Sequence, residues 1–388
     1  MQTIAQSSNV KANPVNMAAY DFDLHGIVGI RLINAMPGDV AAVKRQLGPI
    51  QSVLTRDPDI VIRFVDRMQL SSSVRYIGVE DAGFTEDAFL ILQGKYQTSI
   101  KVQIPFDKIG SRQFEMVCES GVPAVPLLIA IINMTALSKG FLPLHASALL
   151  HNGKGILITG WSKGGKTETL LAFAANGATY IGDEWIYLSP DGERMYGIPE
   201  PTRVWYWHLQ EMPRYKAMVS RKDLRRLQAI NWLAKLLKSL ESSPLKRRTN
   251  YLQALKRLTA LVQRQLYVQL PPEKLFGQKA EKTDVSPEKI FFVVSHDQPD
   301  VTVQPIDSRE LAERMVFSLQ EERMEFLSYY FKFRFAFPEC SNPLIDQAEE
   351  TQRRLILRAL GNKEAYAIYH PYPFSIPSLF DTIRPYCG

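Results

Sequence analysis

Residues 160–167 read Gly-Trp-Ser-Lys-Gly-Gly-Lys-Thr, the G-x-x-x-x-G-K-T spacing of a loop that cradles phosphates. Glycines let such a loop wrap closely enough for consecutive N–H groups to face phosphate oxygens. The lysine adds a charge at the β/γ oxygens, and the threonine hydroxyl can hold Mg²⁺. Gly160, Ser162, Lys163, Gly164, Gly165, Lys166 and Thr167 are therefore the candidate nucleotide-binding residues, with ATP and Mg²⁺ as the expected cofactors. Glu168 is counted with these nucleotide-binding residues, although an acid in the first turn of the expected helix is also favoured there by the positive helix end.

The loop has chemistry only if a strand delivers it and a helix leaves it. GILIT (155–159) is an apolar run leading in, and TETLLAFAANG (167–177) reads as a helix closed by Gly177. Before the first of these lies ASALL (146–150), joined to it by HNGK, whose Asn152-Gly153 pair signals a hairpin. Two acids, Asp183-Glu184, follow the short run ATYIG (178–182). A carboxylate at the end of a strand beside a phosphate loop can accept a proton or hold a metal, because phosphoryl transfer needs mainly positioning and charge neutralisation.

This region resembles the catalytic domain of the HPr kinase/phosphorylase family, bacterial P-loop serine kinases. LHASALLHNGKGILITG (144–160) is similar to the family's histidine-bearing strand, hairpin and strand into the loop. GKTET (165–169) resembles its G-K-S-E-T, and IGDEW (181–185) falls where the family has two consecutive acids. His145 stands fifteen residues before Gly160 and Asp183 twenty-three after it, spacings that agree with the family. The resemblance covers roughly residues 140–200. It implies an ATP-dependent kinase that moves the γ-phosphate to a hydroxyl, a Ser or Thr of a peptide or protein or a small hydroxylated metabolite. Carried over, Asp183 is the base, Glu184 acts with Thr167 on Mg²⁺, and His145 and Lys166 lie at the transferred phosphate. The sequence departs from the family at Trp161, where an acid is usual, and at Glu184, where the family has Asp. GIPEPTRVWYW (197–207) replaces the glycine-rich signature, so the reverse phosphorolysis does not follow from the resemblance. Arg203 in that segment reads equally as a phosphate contact or a surface residue. A nucleotide-binding regulator that performs no transfer is the alternative reading, and Asp183 and Lys166 favour the kinase.

The rest of the chain must supply the scaffold. With 388 residues, 46% apolar and 22% charged, this is an ordinary globular composition with room for two or three domains. Cys118, Cys340 and Cys387 are widely spaced, which excludes a disulfide framework or a C-x-x-C zinc site and fits a reducing cytoplasm. No signal peptide is read at the start, and the longest apolar run, 122–137, is broken by Pro123 and Pro126 and shorter than the roughly 20 residues of a membrane span, so a buried helix is expected. The expected fold class is α/β. A disordered tail (1–18) and an α+β N-terminal domain (19–120) precede an HPr kinase-like P-loop domain with a mixed sheet (121–388). Strands are expected at 26–35, 59–68, 97–106 and 289–295, and helices at 37–48, 308–330 and 346–360.

The net charge of +6 is concentrated: between Arg221 and Leu266 twelve Lys/Arg face two acids. Residues 207–266 read as a helical basic insertion broken at Ser242-Ser243-Pro244. Leu224, Leu227, Ile230, Leu233, Leu236 and Leu237 form its expected core face, and Arg225, Arg226, Lys235 and Lys238 its outer face. That face fits solvent or an acidic protein or peptide substrate. Nucleic-acid binding rests on these helices alone. No membrane partner is expected, and a homo-oligomer is left open.

Overall fold

The computed structural model describes residues 19–78, 81–92, 100–112, 114–241, 249–277, 285–372 and 374–388. The tail at 1–18 and the Ser242-Ser243-Pro244 break lie outside them.

Alternating burial builds the first sheet. In Ile60–Val65 and Phe114–Glu119 every second side chain is buried, so each strand gives one face to the core. Eight strands form this sheet, in the order Tyr20–Leu24, Val28–Ile33, Ile60–Val65, Phe114–Glu119, Ile100–Gln103, Phe89–Leu92, Ala82–Phe84 and Arg75–Ile77. Val28–Ile33, Ile60–Val65 and Phe114–Glu119 run parallel, and the remaining pairs are antiparallel.

The second sheet has six strands in the order Thr179–Gly182, Ser147–His151, Lys154–Gly160, Lys289–Ser295, Glu364–His370 and Thr302–Pro305. Its three parallel central strands, Lys154–Gly160, Lys289–Ser295 and Glu364–His370, bring their C-terminal ends to one edge, the edge at which parallel sheets bind ligands. The Asn152-Gly153 hairpin is present, both residues having positive φ as a two-residue turn of this hand requires. A third sheet of Met195–Gly197, Trp185–Leu188 and Leu142–His145 lies beside it. The chain is thus a mixed α/β protein with several mixed sheets. Among the described residues no helix is long and apolar enough to cross a membrane.

One helix, Ser308–Ala336, ties the halves together; at 29 residues it spans about 43 Å. Ser318 on it donates to the Gly160 carbonyl (3.4 Å), and farther along Phe326, Tyr330 and Phe333 pack around Phe106 of the first half. Buried residues on both sides of the boundary expected at 120/121, Cys118 and Leu128 among them, belong to one apolar cluster that continues to Leu144.

The described part of the insertion is mainly helical between 207 and 266, as its sequence leads one to expect. A two-stranded ribbon of Thr202–Trp205 and Tyr267–Leu270 brackets that span, with the Trp205 and Tyr267 rings tilted at 60° and 5.4 Å apart. Between them run short helices and a hairpin of Arg221–Glu241 and Thr249–Gln263. Leu227 and Leu237 are buried as expected, whereas Leu233 and Leu236 are 39% and 43% exposed. Helical spacing marks an apolar stripe, but a single packed partner covers only its centre line. The helix expected at 122–137 starts later, as Leu128–Ser138, because Pro123 and Pro126 hold the preceding chain out of helix.

Asn342, 3% exposed, donates through Nδ2 to the carbonyls of Phe106 (2.7 Å) and Ile109 (2.9 Å), joining the C-terminal helices to the N-terminal half. Asn342→Ala takes the side-chain donor from the Ile109 carbonyl and leaves that of Phe106 with the Ile109 N–H alone, and urea unfolding should show a loss of about 1–3 kcal/mol. A change below 0.5 kcal/mol would deny this contact its structural part.

Candidate active site

Gly160 ends the central strand with φ +148, pressed against its neighbour: a Cβ there would fall 2.6 Å from the Val293 oxygen. The loop turns through Lys163 at φ +63 and closes at Gly165, φ +108, where a Cβ would meet His370 Nε2 at 2.5 Å. Only glycine tolerates both the left-handed backbone and these approaches. Helix Lys166–Ala174 starts at once, so its free N–H groups and positive dipole end face the loop's interior. Ser162 and Gly164 are half-buried, while Trp161 and Lys163 point to solvent.

Lys166 is 6% exposed, and its Nζ donates to the carbonyls of Trp161 (2.9 Å) and Gly160 (3.3 Å). Burial lowers its pKa, against the charges of Glu184, Glu322 and Asp183, which favour the ammonium.

The acids and the histidine stand where two strands change sheets. Ser147–His151 pairs with Thr179–Gly182 in the six-stranded sheet, whereas Leu142–His145 pairs with Trp185–Leu188 in the three-stranded one, His145 opposite Trp185. Between these segments the chain turns at Glu184, whose φ of +68 is a left-handed value for a non-glycine residue. That turn sends the two carboxylates in different directions. Asp183, 2% exposed, accepts from Ser147 Oγ at 2.6 Å, and Thr167 Oγ1 lies 3.4 Å from both its oxygens. Glu184 instead accepts from His145 Nε2 at 3.0 Å. His145 Nδ1 lies 2.5 Å from Glu322 Oε1 of the long helix, and the imidazole stacks on Trp185.

Their protonation preferences diverge. Burial, then the charge of Glu184, raises the Asp183 pKa despite the Ser147 hydrogen bond. Burial also acts on Glu184, but the hydrogen bond and charge of His145, with Arg203 and Lys166, outweigh it and hold that carboxyl below its ordinary range. For His145, burial is overcome by Glu184 and Glu322, so the imidazolium is favoured. Two neighbouring carboxyls pushed apart in this way are suited to different jobs.

The structure thus brings His145, Lys166, Thr167, Asp183 and Glu184 together. Thr167 faces Asp183, not Glu184. Glu168 turns away from the loop interior to His208, which donates from Nε2 at 3.0 Å while its Nδ1 accepts from the Trp205 N–H. Arg203 is exposed yet close enough to act on Glu184. Sequence reasoning missed Ser147, Glu322, His370 and Glu200. His370 pins the loop, with Nε2 2.7 Å from the Gly164 oxygen and Nδ1 2.8 Å from that of Pro371. Glu200 is held well above the usual carboxyl range by burial and by Glu184 and Asp183, and its Oε1 has no partner among the described residues. Ser147 sits inside the quoted strand and was legible as a hydroxyl two residues past His145. Glu322 and His370 carry no local signal.

Among the described residues no group of three or more His, Cys, Asp or Glu could cage a metal by itself. Mg²⁺ does not need one, since one or two carboxylates, a hydroxyl and substrate phosphates suffice. The Thr167 hydroxyl beside the buried Asp183 carboxylate is a hard-oxygen pair of that kind. No protein-family model matches this chain, and no curated protein matches it.

Lys166→Ala removes the buried ammonium group that bonds the loop carbonyls. Nucleotide affinity measured by calorimetry should fall about 10- to 100-fold, the equivalent of about 1.5–3 kcal/mol for a charged hydrogen bond. Unchanged affinity would take the loop out of nucleotide binding.

Proposed function

We propose that this protein is an ATP-dependent phosphotransferase of the HPr kinase-like kind, moving the γ-phosphate of ATP to a hydroxyl of a peptide, protein or small molecule. The observation that carries the reading is the convergence of Lys166, Thr167 and Asp183 at a glycine-built loop, with Thr167 Oγ1 3.4 Å from both Asp183 oxygens. Asp183, buried beside the loop with its pKa raised by burial and by Glu184, has the character of a proton acceptor, which supports transfer over a switch.

ATP enters as a substrate. Its β- and γ-phosphates lie against the loop N–H groups and the Lys166 ammonium, which leaves the Gly160 and Trp161 carbonyls to reach them. Thr167 and an acid of the pair would hold Mg²⁺, which supplies charge neutralisation on the transferring phosphoryl group. The acceptor O–H loses its proton to Asp183 as its oxygen bonds to the γ-phosphorus. The bond from that phosphorus to the β-bridging oxygen breaks, and ADP leaves with the electron pair. Glu184, kept ionised by His145, adds negative charge that favours the cation. The closeness of Thr167 to Asp183 also favours a reciprocal arrangement, with Asp183 at the metal and Glu184 receiving the proton beside His145. The basic hairpin, with Arg225, Arg226, Lys235 and Lys238 exposed, offers a face to an acidic acceptor.

With γ-labelled ATP, Mg²⁺ and hydroxyl acceptors, label should appear on an acceptor. Asp183→Asn should lower kcat at least 100-fold while ATP still binds. Label that goes only to water would leave a nucleotide-binding regulator. If instead Glu184→Gln abolishes transfer and Asp183→Asn chiefly raises the Mg²⁺ requirement, the reciprocal roles hold.

The pH profile follows from the same site. A base with a raised pKa loses its proton-accepting form as pH falls through that raised value. The acid limb of kcat/KM should therefore lie above the ordinary aspartate range near about 3.9. A limb at or below it would remove Asp183 as the base.

A further inference from the structure

We infer that the helical hairpin of Arg221–Glu241 and Thr249–Gln263 is a dimerisation arm, whose leucine-rich side packs against the same side of a second copy of this chain. The inference goes beyond the phosphotransferase reading and does not depend on it.

The two helices run antiparallel. Arg226, near the start of the first, donates from Nη2 to the Tyr267 carbonyl just past the end of the second (2.9 Å). At the other end of the first helix, Glu241 accepts from Thr259 Oγ1. The seam between them is buried, with Leu227, Ala234 and Leu237 on the first helix and Leu255 and Thr259 on the second. A step of one residue turns the chain by about 100° around the helix axis. In an antiparallel pair, one step back from the seam therefore brings residues of both helices out on the same side, and one step forward on the opposite side. Leu233 and Leu236 each precede a seam residue, and so do Ala254 and Leu258. Lys235, Lys238 and Lys256 each follow one. The hairpin thus has an apolar side and a basic side.

The apolar side is uncovered. Leu233, Leu236 and Leu240 of the first helix and Leu258 and Leu261 of the second are 37–57% exposed. Trp232, one turn from Leu236 at the outer edge, is 67% exposed. These six side chains leave roughly 500 Å² of apolar surface open, as much as the largest patch on a typical monomer, and patches of that size mark interaction sites.

Three observations select a second copy as the occupant. The exposed apolar positions recur at steps of three and four, at 233, 236 and 240 and at 254, 258 and 261, the repeat by which helices pack side by side. The occupant is therefore helical. Charge is the second observation. An anionic membrane or an acidic peptide is held by basic residues that flank an apolar stripe, and here Lys235, Lys238 and Lys256 stand on the side away from it. A like hairpin can meet the apolar side without bringing those lysines together. Third, two such faces bury about 1,000 Å², the lower bound of a specific interface, before their rims are counted. A two-fold axis closes the contact on itself and makes a four-helix bundle of the two hairpins. The basic sides then remain open.

The test is sedimentation velocity on the full chain, without nucleotide, over a range of concentrations. A species of twice the chain mass is expected. Leu236→Glu and Leu258→Glu each put a charge into the apolar side and should raise the dissociation constant about tenfold or more. Lys235→Glu, on the basic side, should leave the dimer unchanged. All three positions are exposed, so each variant should keep the wild-type circular dichroism, which separates lost pairing from lost folding. A single-chain mass at every concentration overturns the inference, as does a dimer that survives both leucine variants. Monomer that instead floats with phosphatidylserine vesicles, and no longer does so in Leu236→Glu, would give this side to a membrane and overturn it too. No arm of the test uses phosphate transfer, so failure here leaves the phosphotransferase reading standing.

Discussion

Ser147 Oγ meets Asp183 at 2.6 Å, buried, at the level where two adjacent strand segments leave one sheet for another. On one side of that bond Ser147–His151 and Thr179–Gly182 are partners; on the other, Leu142–His145 and Trp185–Leu188 are. The crossing is what opens the sheets beside the phosphate loop and frees polar groups there from the ladder. Asp183 is left facing Thr167, Glu184 is swung by its left-handed backbone to His145, and both lie near a lysine that water scarcely reaches. Without the crossing, a strand running on through residue 184 would place successive side chains on opposite faces of one sheet, and the acids could not share a site.

Charge balance in this dry corner then sets the chemistry. Lys166 is disfavoured by burial and supported by the surrounding carboxylates, while the same burial pushes Asp183 up and His145 pulls Glu184 down. Glu200 and Glu322 add to a surplus of acid over base around Lys166. The loop itself is locked from behind by His370, whose ring occupies the space that a side chain at residue 165 would need.

The long helix Ser308–Ala336 gives the site its reach. It touches the loop at Ser318, the histidine at Glu322 and the apolar core of the first sheet from Phe326 onward. The first sheet bears no chemical motif of its own, and its aromatic packing around Phe106 serves to hold that helix in place.

Local physics made the glycine-rich loop at 160–167, its strand and helix, the Asn152-Gly153 hairpin and the Asp183-Glu184 pair readable from the amino-acid sequence. Glycine spacing, apolar runs and helix-opening residues act over a few neighbours and need no distant partner. The two strands flanking the insertion, Thr202–Trp205 and Tyr267–Leu270, were not readable, because each is a strand only by pairing with the other across the long insertion between them. The exposure of Leu233 and Leu236 was hidden for a similar reason: spacing names a stripe, and only the packed neighbour decides how wide a stripe is covered. Glu322 and His370 belong to this second kind. Nothing beside them in the chain sets them apart from other polar residues on a helix or at a strand end. Tertiary packing alone, by carrying one long helix and one parallel strand past the loop, decided that they stand where buried charge must find a partner.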